Sequence, residues 1–212
     1  NCGTKLNFSG LYFSHLGIWE CQNCGTRRPE PDLSLWDYPL AGIYNRYNTL
    51  AAVLTAKSLG AQEKQIKEAL EDFTPAFGRL EEFTVGQKKV RLLLSKNPAG
   101  FNESLRVLQE FPGKKTVLLV LNDRIPDGRD VSWIWDVDTE ELGGAQCIIA
   151  SGDRTYDMGL RLKYSSSSEM KNEKLKIKND NVKFKIIENL SEAIREGLEG
   201  VKAGGTLYIL PT

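Results

Sequence analysis

Residues 120–138 read Val-Leu-Asn-Asp-Arg-Ile-Pro-Asp-Gly-Arg-Asp-Val-Ser-Trp-Ile-Trp-Asp-Val-Asp. They continue from Thr116 to Leu121, a run of β-branched residues and leucines that reads as a buried strand. After that strand the polarity reverses. Asn122, Asp123, Arg124, Asp127, Arg129 and Asp130 fall within nine residues, and Pro126 and Gly128 bend the path. Trp133 and Trp135 come next, then Asp136 and Asp138. A loop at the carboxyl end of an α/β strand is where such folds place their chemistry. Two readings stand side by side: a connection whose tryptophans fasten it to the domain, and a functional loop that sets carboxylates beside large aromatic rings.

Working outward, Val90 to Leu94 reads as a strand, Ser95 to Asn102 as a polar Pro/Gly loop, and Glu103 to Phe111 as a helix. With Thr116–Leu121 this makes a βαβ unit. The pattern continues with a strand at Ala145–Ala150, a Gly152-Asp153-Arg154 loop, and a helix at Thr155–Tyr164 in which Met158, Leu160 and Leu162 partly bury. Ser165 to Asn181 is Ser/Lys/Asn-rich and reads as a solvated loop. A strand at Phe184–Ile187, a helix at Leu190–Val201 and a strand at Thr206–Leu210 follow. The second half is therefore predicted to be an open α/β sheet. Its glycines match neither a phosphate-binding P-loop nor a dinucleotide fingerprint.

The first half carries different chemistry. Cys21 and Cys24 form Cys-Gln-Asn-Cys-Gly, and Cys2 lies in Asn-Cys-Gly-Thr-Lys. Two Cys-Gly knuckles some twenty residues apart have the layout of a zinc ribbon, in which tight turns aim thiolates at one tetrahedral Zn²⁺. The expected fourth ligand would lie just upstream of Asn1, in a chain that begins without Met and reads as part of a longer one. Cys147 sits in an apolar run and reads as a buried strand thiol. Leu6 to Trp19 alternates aromatic and polar residues, as a hairpin between two metal turns would, and holds His15, the sole histidine, for which packing or surface exposure is expected. Arg27-Arg28-Pro-Glu-Pro-Asp reads as an exit linker.

Composition excludes several classes. Lys and Arg total 28, as do Asp and Glu, so no net charge draws the whole chain to nucleic acid. A zinc-ribbon nucleic-acid module remains the competing class, without the wider basic and aromatic face it would need. No apolar run approaches the roughly 20 residues of a membrane span, and no signal peptide is visible. Zinc-type cysteines and free thiols suit a reducing cytoplasm.

Ala41 to Gly60 reads Ala-Gly-Ile-Tyr-Asn-Arg-Tyr-Asn-Thr-Leu-Ala-Ala-Val-Leu-Thr-Ala-Lys-Ser-Leu-Gly. Gly42 precedes a helix with apolar Leu50, Val53 and Leu54 at helical spacing, and Gly60 ends it. Asn45 and Asn48 lie on one face near the positive end, with Tyr44 beside them. A carboxamide both donates and accepts, so an Asn pair with an aromatic suits the edge and face of a purine. The plain alternative is that Asn45 caps the helix. A second amphipathic helix, Gln62 to Phe73, is followed by Phe77-Gly78-Arg79-Leu80-Glu81. There Arg79 on a glycine turn can reach a phosphate, or form a salt-bridged hinge.

Gly-x-Tyr-Asn-x-Tyr-Asn-x-Leu-Ala-Ala, then Gly-Arg-x-Glu, then an Asn-Pro loop after a strand, is an order that resembles the Mur ligases. Within that group the Cys knuckles before the Asn pair, Lys96-Asn-Pro-Ala-Gly-Phe-Asn102, and the stretch from Leu121 to Asp138 are similar to the MurT family, from Cys2 to at least Tyr164. The resemblance implies a Rossmann-like Mur ligase C-terminal domain (80–212). Before it would lie the end of the central ATPase domain (31–79) and a zinc ribbon (1–30). It implies ATP-dependent amidation of the α-carboxylate of D-Glu in the lipid II stem peptide to D-isoglutamine, through an acyl phosphate. The ammonia would come from a GatD-type glutaminase partner, at the inner face of a Gram-positive bacterial membrane. By resemblance, Asn45, Asn48 and Tyr44 bind ATP and Arg79 contacts its phosphates. Cys2, Cys21 and Cys24 hold zinc, and Asp130 supports catalysis across the subunit interface. The family's P-loop and Mg²⁺ residues are expected upstream of Asn1, so this polypeptide alone is expected to be inactive and to keep at best part of the GatD-docking surface. A folylpolyglutamate synthase-like ligase is the alternative.

Overall fold

The computed structural model describes residues 2–12, 16–75, 78–165 and 183–212. His15, Phe77 and nearly all of the Ser/Lys/Asn-rich stretch lie outside the described residues. In chain order the elements are β1 (Asn7–Tyr12), β2 (Leu16–Glu20), α1 (Ile43–Ser58), α2 (Glu63–Glu71), β3 (Arg79–Val85), β4 (Lys88–Leu93), α3 (Pro98–Glu110) and β5 (Thr116–Val120). Short 3-10 turns at Ser132–Asp136 and Thr139–Gly144 precede β6 (Cys147–Ser151), α4 (Thr155–Ser165), β7 (Lys183–Ile186), α5 (Leu190–Glu199) and β8 (Thr206–Pro211).

Every residue of β5 and of β6 is buried. This is the signature of parallel strands covered on both faces. Six of the described strands form one sheet in the order β3-β4-β8-β5-β6-β7, with β4 through β7 mutually parallel. On one face α3 and α4 bury Phe101, Leu105, Leu108, Met158 and Leu162 against Val117, Leu119 and Leu210. On the other, α5 sets Ala193 against Leu118, Ile149 and Ile209. Burying a leucine- or phenylalanine-sized side chain contributes about 1.5–3 kcal/mol, so these two layers carry most of the stability of the unit.

Three expectations need correction. The segment Arg79–Val85 is an antiparallel edge strand paired with β4, not only a glycine turn. Helix α3 begins at Pro98 rather than near Glu103: the Asn97 side chain accepts the Gly100 amide at 2.8 Å, and Pro98 occupies the first turn, where no amide is needed. Leu160, expected to be partly buried, is exposed on α4, whereas Met158 and Leu162 are buried. The hairpin expected between the cysteine knuckles is present as β1 and β2 in antiparallel register, extended by a bridge between Glu20 and Arg27.

Candidate functional site

Gly42 sets where α1 starts. Its φ of 97° is a left-handed value, and a Cβ there would stand 2.6 Å from Val107 Cγ2 on α3. Its amide donates to Glu110 Oε2 at 3.1 Å. Glycine thus lets the first turns of α1 press against α3. Asn45, almost fully buried, lies in the first turn, and its Nδ2 donates to the Ala41 carbonyl at 2.6 Å. The helix is capped by Gly42 without a side-chain bond, so capping is not the role of Asn45.

A cleft of about 710 Å³ opens beside these turns. Tyr44, Asn45, Asn48 and Arg79 all line it, together with Leu40, Leu70, Phe73, Leu80 and Leu94 as apolar walls. An apolar hollow with a few convergent polar groups is the usual form of a small-molecule site. Among its lining residues Arg79 is the only cation and Glu103 the only carboxylate. Burial pushes the Tyr44 phenol up, with Glu103 and Glu110 adding to the rise and Arg79 opposing it. Arg79 precedes Leu80, which holds a left-handed φ of 64° at the irregularity between β3 and β4. Glu81 accepts the Gly78 amide at 3.0 Å. Among the described residues Arg79 makes no ion pair. Under the floor, buried Ser95 bonds to Leu93 O at 2.8 Å and to Ser104 Oγ at 3.0 Å, holding α3 on β4.

Asp130 does not line this cleft. It borders a separate recess of about 290 Å³ with Arg129, Ser132, Trp135, Arg154 and Asp157. Its carboxylate accepts the Ser132 amide at 2.8 Å, and that backbone bond, followed by the Ser132 side chain, holds it below the usual aspartate range. The segment after it is fastened from below. Val131 and Ile134 are buried, and the Trp133 ring lies 6.2 Å from Phe101. Buried Arg161 of α4 donates to the carbonyls of Ile134 and Val137 at 3.2 and 2.5 Å. Trp135 remains half exposed, 6.1 Å from Tyr164. Fastening therefore describes Trp133 well and Trp135 poorly.

Two motifs far apart in sequence interlock here. The Asn102 carboxamide accepts the Asp138 amide at 2.8 Å and donates to the Asp136 carbonyl at 3.4 Å. Lys96 pairs with Asp127 at 3.3 Å. At the carboxyl edge of the sheet Asn122 Oδ1 accepts the Asp153 amide, Arg124 pairs with Asp153, and Arg154 lies between Asp123 and Asp157. Gly152 is required there: with φ 101°, a Cβ would meet the Leu121 carbonyl oxygen at 2.4 Å. Glu103, Asn102, Arg154 and Arg161 were not individually picked out as site residues from sequence. Only Asn102 had a signal, as the last residue of the Asn-Pro motif.

The thiols of Cys2, Cys21 and Cys24 converge, with their sulfurs within 4.8 Å of one another and Cys2 Sγ 3.4 Å from Cys21 Sγ. Thiolates around zinc at about 2.3 Å stand roughly 3.8 Å apart, so the three fit three corners of a tetrahedral site. A side-chain hydrogen bond from Thr4, then its backbone amide, lowers the Cys2 thiol to about 6. Cys147 is buried on β6, outside this cluster, and burial raises its thiol. Arg27 and Arg28 share their recess with Glu20 and Glu30, so that face has mixed charge.

A parallel sheet with an antiparallel edge strand and helices on both faces is the fold of Mur ligase C-terminal domains. The chain superposes on a pseudomurein peptide ligase type C from Methanothermus fervidus with a TM-score of 0.59 and 21% identity, over 100% of this chain and 45% of that one. At the sequence level the MurT ligase C-terminal family matches residues 94–212. Lipid II isoglutaminyl synthase (glutamine-hydrolyzing) subunit MurT of Staphylococcus aureus (strain COL) is 37% identical over 182 residues, 77% of this chain and 41% of that protein. The subunit of the same description from Streptococcus pneumoniae is 32% identical over 184 residues, again 77% of this chain and 41% of that protein. The chain belongs to the MurT family, and it spans about two fifths of the length of these curated relatives. Among the described residues no helix is long and apolar enough to cross a membrane.

Proposed function

We propose that this chain is the C-terminal portion of a MurT-type ligase subunit. In that reading the subunit uses ATP to amidate the α-carboxylate of D-Glu in the lipid II stem peptide, giving D-isoglutamine. The γ-phosphoryl group passes to the carboxylate, ammonia attacks the acyl phosphate, and phosphate leaves. A GatD-like glutaminase partner supplies the ammonia, and the complex works on the cytoplasmic face of a Gram-positive membrane. Residues 1–30 form a zinc ribbon held by Cys2, Cys21, Cys24 and a fourth ligand, residues 31–79 the end of the central ATPase domain, and residues 80–212 the C-terminal domain.

The observation that carries this reading is the gathering of Tyr44, Asn45, Asn48 and Arg79, from two separate stretches of sequence, on one apolar-walled cleft. The two carboxamides suit a base edge, the Tyr44 ring a base face, and the Arg79 guanidinium a phosphate. The P-loop and the Mg²⁺ ligands would come from the remainder of the subunit. Asp130, placed apart from the cleft on an exposed loop, serves the partner's catalytic histidine in this reading, as a carboxylate that orients an imidazole and stabilises its charged form.

The test is nucleotide binding by the complete subunit, paired with lipid II amidation from ATP and ammonium. Arg79→Ala is expected to weaken ATP binding about tenfold or more while leaving adenosine nearly unaffected; Asn45→Ala should weaken both. Unchanged ATP affinity in both variants would remove the cleft from the reaction.

A further inference from the structure

The loop that carries Asp130 stands on the junction between β4 and α3. On its leading side the Asp127 carboxylate, 13% exposed, pairs with Lys96 at 3.3 Å. On its trailing side the Asn102 carboxamide accepts the Asp138 amide at 2.8 Å and donates to the Asp136 carbonyl at 3.4 Å. Between these feet Gly128, Arg129 and Asp130 are all exposed, so burial does not fix where the Asp130 carboxylate points. The Ser132 amide does, by donating to Asp130 Oδ1 at 2.8 Å. Ser132 opens the 3-10 turn Ser132–Asp136, so the carboxylate is tied to that turn and moves with it.

Two consecutive residues seat the turn on α3. Phe101, fully buried, faces the Trp133 ring at 6.2 Å. Apolar contact of that kind has no direction, so it holds the turn down without fixing its register. Asn102 grips the far end of the turn differently. A carboxamide donates and accepts at once, and this one engages a carbonyl and an amide two residues apart, which selects one placement of the backbone. Ala99, Gly100, Glu103 and Ser104 of the same helix line the large cleft, whereas Asn102 does not. Helix α3 therefore meets the cleft with one side and the Asp130 loop with another.

We propose that Asn102 is a positioning residue for glutamine hydrolysis by the partner subunit. By fixing the register of the Ser132–Asp136 turn on α3, it sets the direction in which Asp130 presents its carboxylate to the partner's histidine. This rests on the reading of Asp130 given above. Asn102 touches neither glutamine nor the reacting atoms and acts only through Asp130. A group that orients a catalytic imidazole has to be held to within about 0.5 Å, and a displacement of about 1 Å can cost about a hundredfold in rate.

The experiment is a double-mutant cycle on the complete ligase subunit bound to its glutaminase partner, with Asn102→Ala, Asp130→Asn and the two combined. Glutamine hydrolysis and amidation of lipid II from ATP and ammonium are measured separately. Asn102→Ala is expected to lower kcat for hydrolysis about 10- to 100-fold, with KM and ammonium-driven amidation each within about twofold of wild type. On the Asp130→Asn background the same substitution should cost about twofold or less, because the group it positions is gone. Asn102→Asp keeps the acceptor for the Asp138 amide and should restore most of the rate; it carries the same cycle if the alanine variant fails to fold. The proposal is overturned if Asn102→Ala hydrolyses glutamine at the wild-type rate, or if it loses amidation in parallel. It is also overturned if that variant separates from the partner on gel filtration, or if its effect multiplies with that of Asp130→Asn. If Asp130→Asn lowers hydrolysis and the two effects multiply, only the Asn102 assignment fails. If Asp130→Asn hydrolyses glutamine normally, the reading of Asp130 fails, and the Asn102 assignment with it.

Discussion

Replacing Arg161 with methionine tests how the segment after Asp130 is held. Arg161 is 7% exposed and donates to two main-chain carbonyls, Ile134 O and Val137 O, that bound the turn carrying Trp135. It also reaches Glu140, but that side chain is 56% exposed. An ion pair with so wet a partner contributes about 0–1 kcal/mol. Each carbonyl also accepts a backbone amide, Val137 N for Ile134 O and Thr139 N for Val137 O, so what is lost is two hydrogen bonds from a charged donor, about 1.5–3 kcal/mol each, while methionine keeps most of the apolar stem. Two such bonds predict a loss of about 3–6 kcal/mol for Arg161→Met, against less than about 1 kcal/mol for Glu140→Gln. In a unit of this size, about 3 kcal/mol corresponds to a fall in Tm of roughly 6–12 °C. Urea melts followed by tryptophan fluorescence, with hydrogen exchange on residues 132–138, read both the magnitude and the location. A loss below about 1 kcal/mol in Arg161→Met, or equal losses in the two variants, would refute the argument that the carbonyls rather than the ion pair hold this turn.

Other outcomes follow from the same geometry. In the complete subunit, Asp130→Asn is expected to lower glutamine hydrolysis while ammonium-driven amidation survives; loss of both with the complex intact would assign Asp130 to the ligase chemistry instead. Zinc should be present at about one per chain, lost in Cys21→Ser and Cys24→Ser and kept in Cys147→Ser, as measured by plasma emission on gel-filtered protein; equal zinc in all three would refute the cysteine cluster. The bond from Arg154 holds the Asp157 carboxyl below its ordinary value of 3.8, and Arg124 does the same for Asp153. A depressed folded value means stability that is present above pH 3.8 and lost as pH falls below it through the folded value. Chemical denaturation between pH 7 and pH 2 should show that loss, and the double variant Asp153→Asn, Asp157→Asn should show less of it; an identical slope would count against these pairs.

Much of the fold was legible in one dimension because its strongest signals are local. Thr116–Val120 and Cys147–Ser151 are apolar without interruption, and buried parallel strands have to be so. β3 escaped notice for the opposite reason. It is an edge strand with no buried position, so its sequence carries no alternation to read. The start of α3 was masked by Pro98 and Gly100, residues that signal loops in most places but are tolerated in a first helical turn behind an Asn97 cap.

The candidate site divides the same way. Sequence by itself determined which residue types could do chemistry: the Cys-Gly knuckles, the Asn pair on one helical face, and the Gly-Arg turn. These depend on spacings of a few residues along one element. Only tertiary structure decided that Arg79 shares a cleft with Tyr44, Asn45 and Asn48 while Asp130 borders another recess, and that Arg161 holds the tryptophan turn. The physical reason is that these relations join elements tens of residues apart. Contacts of that kind are set by how β4, α3 and α4 pack on the sheet, and no local pattern of charge or hydrophobicity encodes them.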